Sequence, residues 1–137
     1  MITGMHHAGV VVLDLEKAVE FYTDAVGLRL RGTFEFGDDS TAQVVGYRGA
    51  KLKTAELETP EGQMIELLEY VIPLAPVRGS EERSLQGASH LAFKVDHIQK
   101  AYESLISKGG RKLNPPVEES PGVKICYLQD PEGNWIE

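Results

Sequence analysis

The sequence predicts an α+β fold of two βαβββ modules, and three observations predict it. The chain repeats itself; each repeat opens with a strand-like run followed by a helix-like run; and each repeat closes on the same short motif. The 137 residues suit one domain, since single domains commonly run ~100–200 residues. We place the first module at about 1–72, a linker at about 71–87 and the second module at about 88–137, within one domain spanning 1–137.

Internal similarity carries most of this reading. Residues 7–30 laid over 90–113, a shift of 83, match His7 with His90, Val12 with Val95, Lys17 with Lys100, Ala18 with Ala101, Glu20 with Glu103, Gly27 with Gly110 and Leu30 with Leu113. Pro60–Glu66 (PEGQMIE) laid over Pro131–Glu137 (PEGNWIE), a shift of 71, gives five identities in seven positions. The shifts differ by 12, so the length change falls inside the modules. Each half thus offers a histidine near its start and a glutamate near its end.

The elements follow in order. Met5–Leu13 is a β-branched apolar run and reads as a strand. Asp14 is a helix N-cap, followed by Leu15, Ala18, Val19, Tyr22 and Val26 on one helical face, with Gly27 as the terminating glycine. Leu28–Phe36 is a second strand; Asp38–Tyr47 is either a short helix or an irregular excursion. Leu52–Glu58 and Gln63–Tyr70 are strands joined by a Thr-Pro-Glu-Gly turn. Val71–Gly87, with Pro73, Pro76, Gly79 and the Ser-Glu-Glu-Arg stretch, reads as the linker. The second module runs through a strand at Ala88–Val95, a helix over about Ile98–Lys108 closed by Gly109 and Gly110, a Pro-rich connection at Asn114–Gly122, a strand at Val123–Leu128, a turn at Asp130-Pro-Glu-Gly and a last strand from Asn134.

Composition narrows the function classes. A 42% hydrophobic, 26% charged chain with 14 Gly and 7 Pro has the apolar material of an ordinary globular core. Its net charge of −7 repels phosphate backbones and anionic membranes, and no basic patch interleaves with aromatics, which argues against nucleic acid and membrane partners. The longest apolar run near the N-terminus, Ala8–Leu13, is too short for a signal core or a membrane span. A single cysteine, Cys126, cannot form an internal disulfide and suits a reducing cytoplasm; in VKICYL it reads as a buried thiol.

Strand alternation decides which side chains could meet. His7, Gly9 and Val11 share one face of their strand, opposite His6, Ala8, Val10 and Val12. His90, Ala92 and Lys94 lie opposite Leu91, Phe93 and Val95. The apolar faces are the natural packing surfaces for the helices, so His7 and His90 point to the other side. Glu66 aligns with Met64, Leu68 and Tyr70, and Glu137 with Trp135. A carboxylate among apolar residues, as in MIELL, is costly unless paired or bound to a metal. Two neutral imidazoles and two carboxylates balance a divalent ion and leave coordination positions open, which marks catalysis rather than a structural staple. The metal set is therefore His7, Glu66, His90 and Glu137, holding one divalent ion of the Ni, Co, Zn, Fe or Mn kind. Val11, Met64, Leu68, Tyr70 and Trp135 are the pocket candidates.

Each of these residues also has an ordinary structural reading. A lone histidine at a strand start is usually a hydrogen-bonded structural residue, and a glutamate near a strand end is usually solvated. Recurrence of the same pair in both modules outweighs that reading, since pseudo-twofold packing would gather two His and two Glu. His6 and His97 lack such support and read as structural or surface residues.

The motifs HHAGVVVLDLEKAVEFYTDAVGL, MIELLEY, SHLAFKVDHI and DPEGNWIE, covering essentially the whole chain, resemble the vicinal oxygen chelate superfamily, which includes glyoxalase I, methylmalonyl-CoA epimerase, extradiol dioxygenases, fosfomycin-modifying enzymes and bleomycin-resistance proteins. The resemblance implies paired βαβββ modules forming a half-open barrel around a metal, and a homodimer. Bacterial glyoxalase I-like enzymes draw His, Glu, His and Glu from the strands matched here, and extradiol dioxygenases only His, His and a carboxylate. Two positions depart from glyoxalase I: Val11 replaces an arginine and Tyr70 an asparagine, and both help hold glutathione in that family. The epimerases usually carry His-Pro where Asp130-Pro131 stands.

The functional expectation is a metal-dependent lyase or isomerase of glyoxalase I or epimerase type, moving a proton through a metal-stabilised enediolate of a small vicinal-oxygen substrate, with Glu66 and Glu137 as catalytic carboxylates. Two alternatives stand beside it: a non-haem Fe(II) extradiol dioxygenase using His7, His90 and Glu137, and a non-catalytic small-molecule binding or resistance protein.

Overall fold

The computed structural model describes every residue, Met1–Glu137, and the chain divides into two units, Met1–Val77 and Arg78–Glu137. In the first, β1 (His7–Val12) forms one edge of the sheet and is followed by α1 (Leu15–Glu20), which runs on into a π-helical turn at Phe21–Ala25. Asp14 caps α1: its carboxylate accepts from Lys17 N at 3.1 Å. A second anchor comes from the sheet, where Glu69 Oε2 accepts from Leu15 N at 2.9 Å, so two carboxylates satisfy N–H groups that the first helical turn leaves open. Leu15, Ala18, Phe21 and Tyr22 are buried.

β2 (Arg29–Phe36), α2 (Asp39–Val45), β3 (Lys51–Glu58) and β4 (Met64–Ile72) complete this unit. The Asp38–Tyr47 stretch, open between two readings from sequence, is helical: Asp38 accepts from Thr41 N at 2.8 Å, and Gly46 ends the helix at φ 76°. Three N–H and O–H donors, with Thr41 foremost, hold the Asp38 carboxyl down at about 2. The sheet order is β1-β4-β3-β2, with β1 parallel to β4 and the other pairs antiparallel. Val12, Ala55, Leu57, Ile65 and Leu67 are buried and form the core of the unit.

In the second unit, β5 (His90–Leu91) leads to α3 (Ile98–Ser107), β6 (Arg111–Lys112), β7 (Val117–Ser120), β8 (Val123–Ile125), β9 (Leu128–Gln129) and β10 (Trp135–Ile136). The four-stranded sheet runs β5-β10-β9-β6, again with the opening strand parallel to the closing one; β7 and β8 form a separate hairpin. α+β architecture with mixed sheets therefore holds throughout. Some boundaries differ from the sequence reading. The expected strand Ala88–Val95 is regular only at His90–Leu91, its pairing carried further by Glu137 N to Leu91 O and Phe93 N to Glu137 O, both 2.9 Å. The expected strand Val123–Leu128 breaks at Cys126–Tyr127, because β8 pairs with β7 whereas β9 pairs with β6 and β10. The Pro-rich connection contains β7. Gly109 (φ 105°) and Gly110 end α3; a Cβ on Gly110 would lie 2.8 Å from Leu105 O, which only glycine avoids.

The stretch read as a linker makes specific bonds within the second unit. Glu81 accepts from Arg111 and from Gln129 Nε2, and its carbonyl accepts from Trp135 Nε1 at 2.7 Å. No helix is long and apolar enough to cross a membrane.

Candidate functional site

The repeated PEG motif makes the same turn twice. In the first unit Thr59 N donates to Gln63 O, Gly62 N to Thr59 O, and Gln63 N to Thr59 Oγ1, at 3.0, 3.0 and 3.1 Å. In the second, Asp130 N donates to Asn134 O, Gly133 N to Asp130 O, and Asn134 N to Asp130 Oδ1, at 2.9, 3.1 and 2.8 Å. Gly62 and Gly133 sit at φ 88° and 89°, a conformation that favours glycine. Each turn launches a strand on which the glutamate stands four residues after the glycine. Asp130, almost completely buried, also accepts from Glu132 N and Asn134 Nδ2, so its charge is met by three donors.

On that scaffold each unit pairs its histidine with its glutamate. His7 Nε2 lies 3.3 Å from Glu66 Oε2, and His90 Nε2 lies 3.2 Å from Glu137 Oε2. The register explains how. Glu66 stands beside Gly9, and Met64 beside His7, so the carboxylate reaches diagonally, from the next position along that face, to the imidazole. In the second unit His90 stands beside Trp135, and the bonds of Glu137 to Leu91 and Phe93 place it beside Ala92. The same diagonal offset thus relates histidine and glutamate in both units.

Val11, Met64, Leu68 and Tyr70 share the Glu66 face of the first sheet, where Val11 is exposed and the other three half-buried. Leu68 packs against Gly9, and Tyr70 meets the edge of Tyr47 at 6.0 Å. Trp135 shares the strand face of Glu137 and is half-buried. His6, read as structural, touches His7: their Nδ1 atoms are 2.8 Å apart. One ring donates to the other there, fixing the His7 ring with Nε2 toward Glu66. His97 sits at the N-cap of α3 without a side-chain capping bond.

Two residues that sequence reasoning left outside the site belong beside the second pair. Tyr127 donates its hydroxyl to Glu137 Oε2 and sets its ring edge-on to His90 at 5.3 Å. Arg83 lies over the Tyr127 and Trp135 rings, 4.9 and 4.8 Å from their centroids. The available signal for Tyr127 was a hydroxyl in an otherwise apolar run. Donation to Glu137, with burial, raises the Tyr127 pKa above its usual 10.0. Burial, and then the charge of Glu137, raises the Cys126 thiol, which disfavours the thiolate a nucleophile needs.

Both pairs suit a divalent ion. Two ligands each about 2.1 Å from an ion and at right angles stand about 3.0 Å apart, close to the 3.3 and 3.2 Å separations here. Within neither unit does a third His, Cys, Asp or Glu join the pair. A cleft of about 740 Å³ lies elsewhere in the first unit, against Asp14, Leu15, Glu35, Lys53 and Glu69, and contains none of the expected site residues. Glu69 there is occupied with capping α1.

Residues 4–137 match the family model described as the Glyoxalase/Bleomycin resistance protein/Dioxygenase superfamily. The chain is 31% identical over 141 residues to a 2-epi-5-epi-valiolone epimerase of Actinomyces sp., covering 97% of this chain and 76% of that one. It is 30% identical over 135 residues to the lactoylglutathione lyase of Escherichia coli O157:H7, covering 96% and 87%. The crystal structure of a glyoxalase family protein from Bacillus cereus superposes with a TM-score of 0.92 at 23% identity, covering 99% of this chain and 92% of that one.

Proposed function

Because the chain belongs to the glyoxalase/bleomycin resistance protein/dioxygenase superfamily, we propose that it is a metal-dependent lyase or isomerase, acting as a homodimer on a small substrate with two vicinal oxygens. The observation that carries this reading is the same His–Glu pairing, near 3.3 Å, in both units. His7, Glu66, His90 and Glu137 would supply the ligands of a divalent ion, each pair furnishing two. Such an ion supplies a Lewis acid that polarises a carbonyl. The chain's own part is proton transfer: Glu66 or Glu137 removes the proton from the carbon next to that carbonyl and returns it to the neighbouring position. His6 holds the His7 ring, and Tyr127 holds Glu137, so neither pair must reorganise as charge shifts. Names of relatives, one a lyase and one an epimerase, agree with proton-transfer chemistry in this family.

The test is the metal content of protein purified without added metal or chelator, for wild type and Glu66→Ala. About one ion per chain, lost or much weakened in the variant, supports the four-ligand reading and directs assays to α-ketoaldehydes and acyl-CoA epimers. Metal retained in the variant, with oxygen consumed alongside catechols under Fe(II), replaces it with a dioxygenase. No metal, even on reconstitution, leaves a binding protein.

A further inference from the structure

The second unit contains three arginines, Arg78, Arg83 and Arg111. Arg78 donates to Asn134, and Arg111 to Glu81 and to the carbonyl of Pro131. The Arg83 guanidinium makes neither a hydrogen bond nor a salt bridge; after Ser84, its backbone N–H and its charge help hold down the neighbouring Glu82 carboxyl, and its side-chain contacts are with the two ring faces. A guanidinium held over aromatic faces remains charged and keeps N–H donors for a further partner. The segment carrying it is fixed on both sides. Glu81 is bound through its carboxylate and its carbonyl, and the Glu82 carboxylate accepts from Ser84 N at 3.2 Å. The Tyr127 ring beneath the guanidinium is the ring that contacts His90 and bonds Glu137.

An exposed guanidinium whose N–H donors meet no protein acceptor, one ring away from the His90–Glu137 pair, is placed to receive a ligand. We propose that Arg83 receives an oxyanion of the substrate, a carboxylate or a phosphoryl group, on its donor edge, and so selects acidic substrates. The inference rests on the proposed function for the position of the vicinal oxygens, but the anion site itself does not. Both oxyanions match the guanidinium fork.

Trp135 is the chain's one tryptophan and lies under Arg83, so its fluorescence reports on the site directly. Succinate and inorganic phosphate are titrated at constant ionic strength into wild type, Arg83→Gln and Arg83→Lys, each checked for an unchanged thermal melt. We expect a saturable change in wild type that is lost in Arg83→Gln and weakened in Arg83→Lys, which keeps the charge but not the fork. A response to succinate alone assigns a carboxylate, and to phosphate alone a phosphoryl group. No saturable change in wild type, or the same change in Arg83→Gln, overturns the proposal. In parallel, Ni(II)-loaded protein is titrated with acetohydroxamate and with the monohydroxamate of succinic acid. A preference for the acidic chelator of about tenfold or more, falling to about one in Arg83→Gln, supports it. Failure of both hydroxamates to bind, with the succinate response intact, removes the vicinal-oxygen reading and leaves the anion site standing. Equal binding of both, with no anion response, does the reverse.

Discussion

Tyr127 donates its phenolic hydrogen to Oε2 of Glu137, the same carboxylate oxygen that faces His90 Nε2 at 3.2 Å. Partners of this kind orient a ligand, and their loss typically lowers metal affinity about 10- to 100-fold. Tyr127→Phe is therefore expected to weaken metal binding by that order while leaving the secondary structure intact, as competition with a chelator and circular dichroism would show. Unchanged affinity would make the contact purely structural.

The same bond has a pH signature. A donor to a carboxylate is held neutral, so Tyr127 ionises above 10.0 in the folded protein. The native state keeps this proton where the unfolded chain has begun to lose it. The contribution to stability is thus fully present below about pH 10 and disappears as pH rises through the folded value. Ultraviolet titration of the tyrosines should show one late phase, moving down toward 10.0 in Glu137→Gln.

On the proposed proton transfer, substituting Glu66 or Glu137 by Gln keeps the shape and removes the proposed base. Turnover should fall about 10²- to 10⁴-fold, with a much smaller change in substrate binding. A variant with unchanged turnover would take that glutamate out of the proton transfer.

Gly62 and Gly133 occupy the same turn position with different surroundings. A Cβ on Gly62 meets nothing within 4 Å, whereas one on Gly133 would lie 2.3 Å from Glu81 Oε1. Gly62→Ala should cost only the backbone term, about 1–2 kcal/mol. Gly133→Ala should cost more and change Trp135 fluorescence, because displacing Glu81 disturbs the carbonyl that accepts from the indole. Equal losses in denaturant unfolding would contradict this.

Thr54 is 3% exposed, and its hydroxyl has no hydrogen-bond partner. Leaving such a group unmade costs about 1–3 kcal/mol. Thr54→Val replaces it by a methyl of similar size and should stabilise the first unit by about 1 kcal/mol, read as a raised melting temperature. Destabilisation would mean that the hydroxyl has a partner in solution.

Much of this was legible along the chain. Period-two alternation placed β1 and β4, the capping Asp14 and the breaking Gly27 bracketed α1, and the repeated PEG motif marked the two turns. Boundaries in the second unit were less legible, since β8 and β9 look like one apolar run until their partners are known. The linker likewise looked idle because its proline, glycine and charge content says nothing about which carboxylate meets which arginine.

The sequence by itself determined the α+β class, the paired modules and the residue types at His7, Glu66, His90 and Glu137, because local periodicity and turn chemistry are properties of neighbouring residues. Tertiary structure alone decided that Glu66 reaches His7 and Glu137 reaches His90, that Tyr127 bonds Glu137, and that Arg83 rests on two aromatic rings. Those contacts join residues far apart in the chain, and only strand register and packing fix the distances between them.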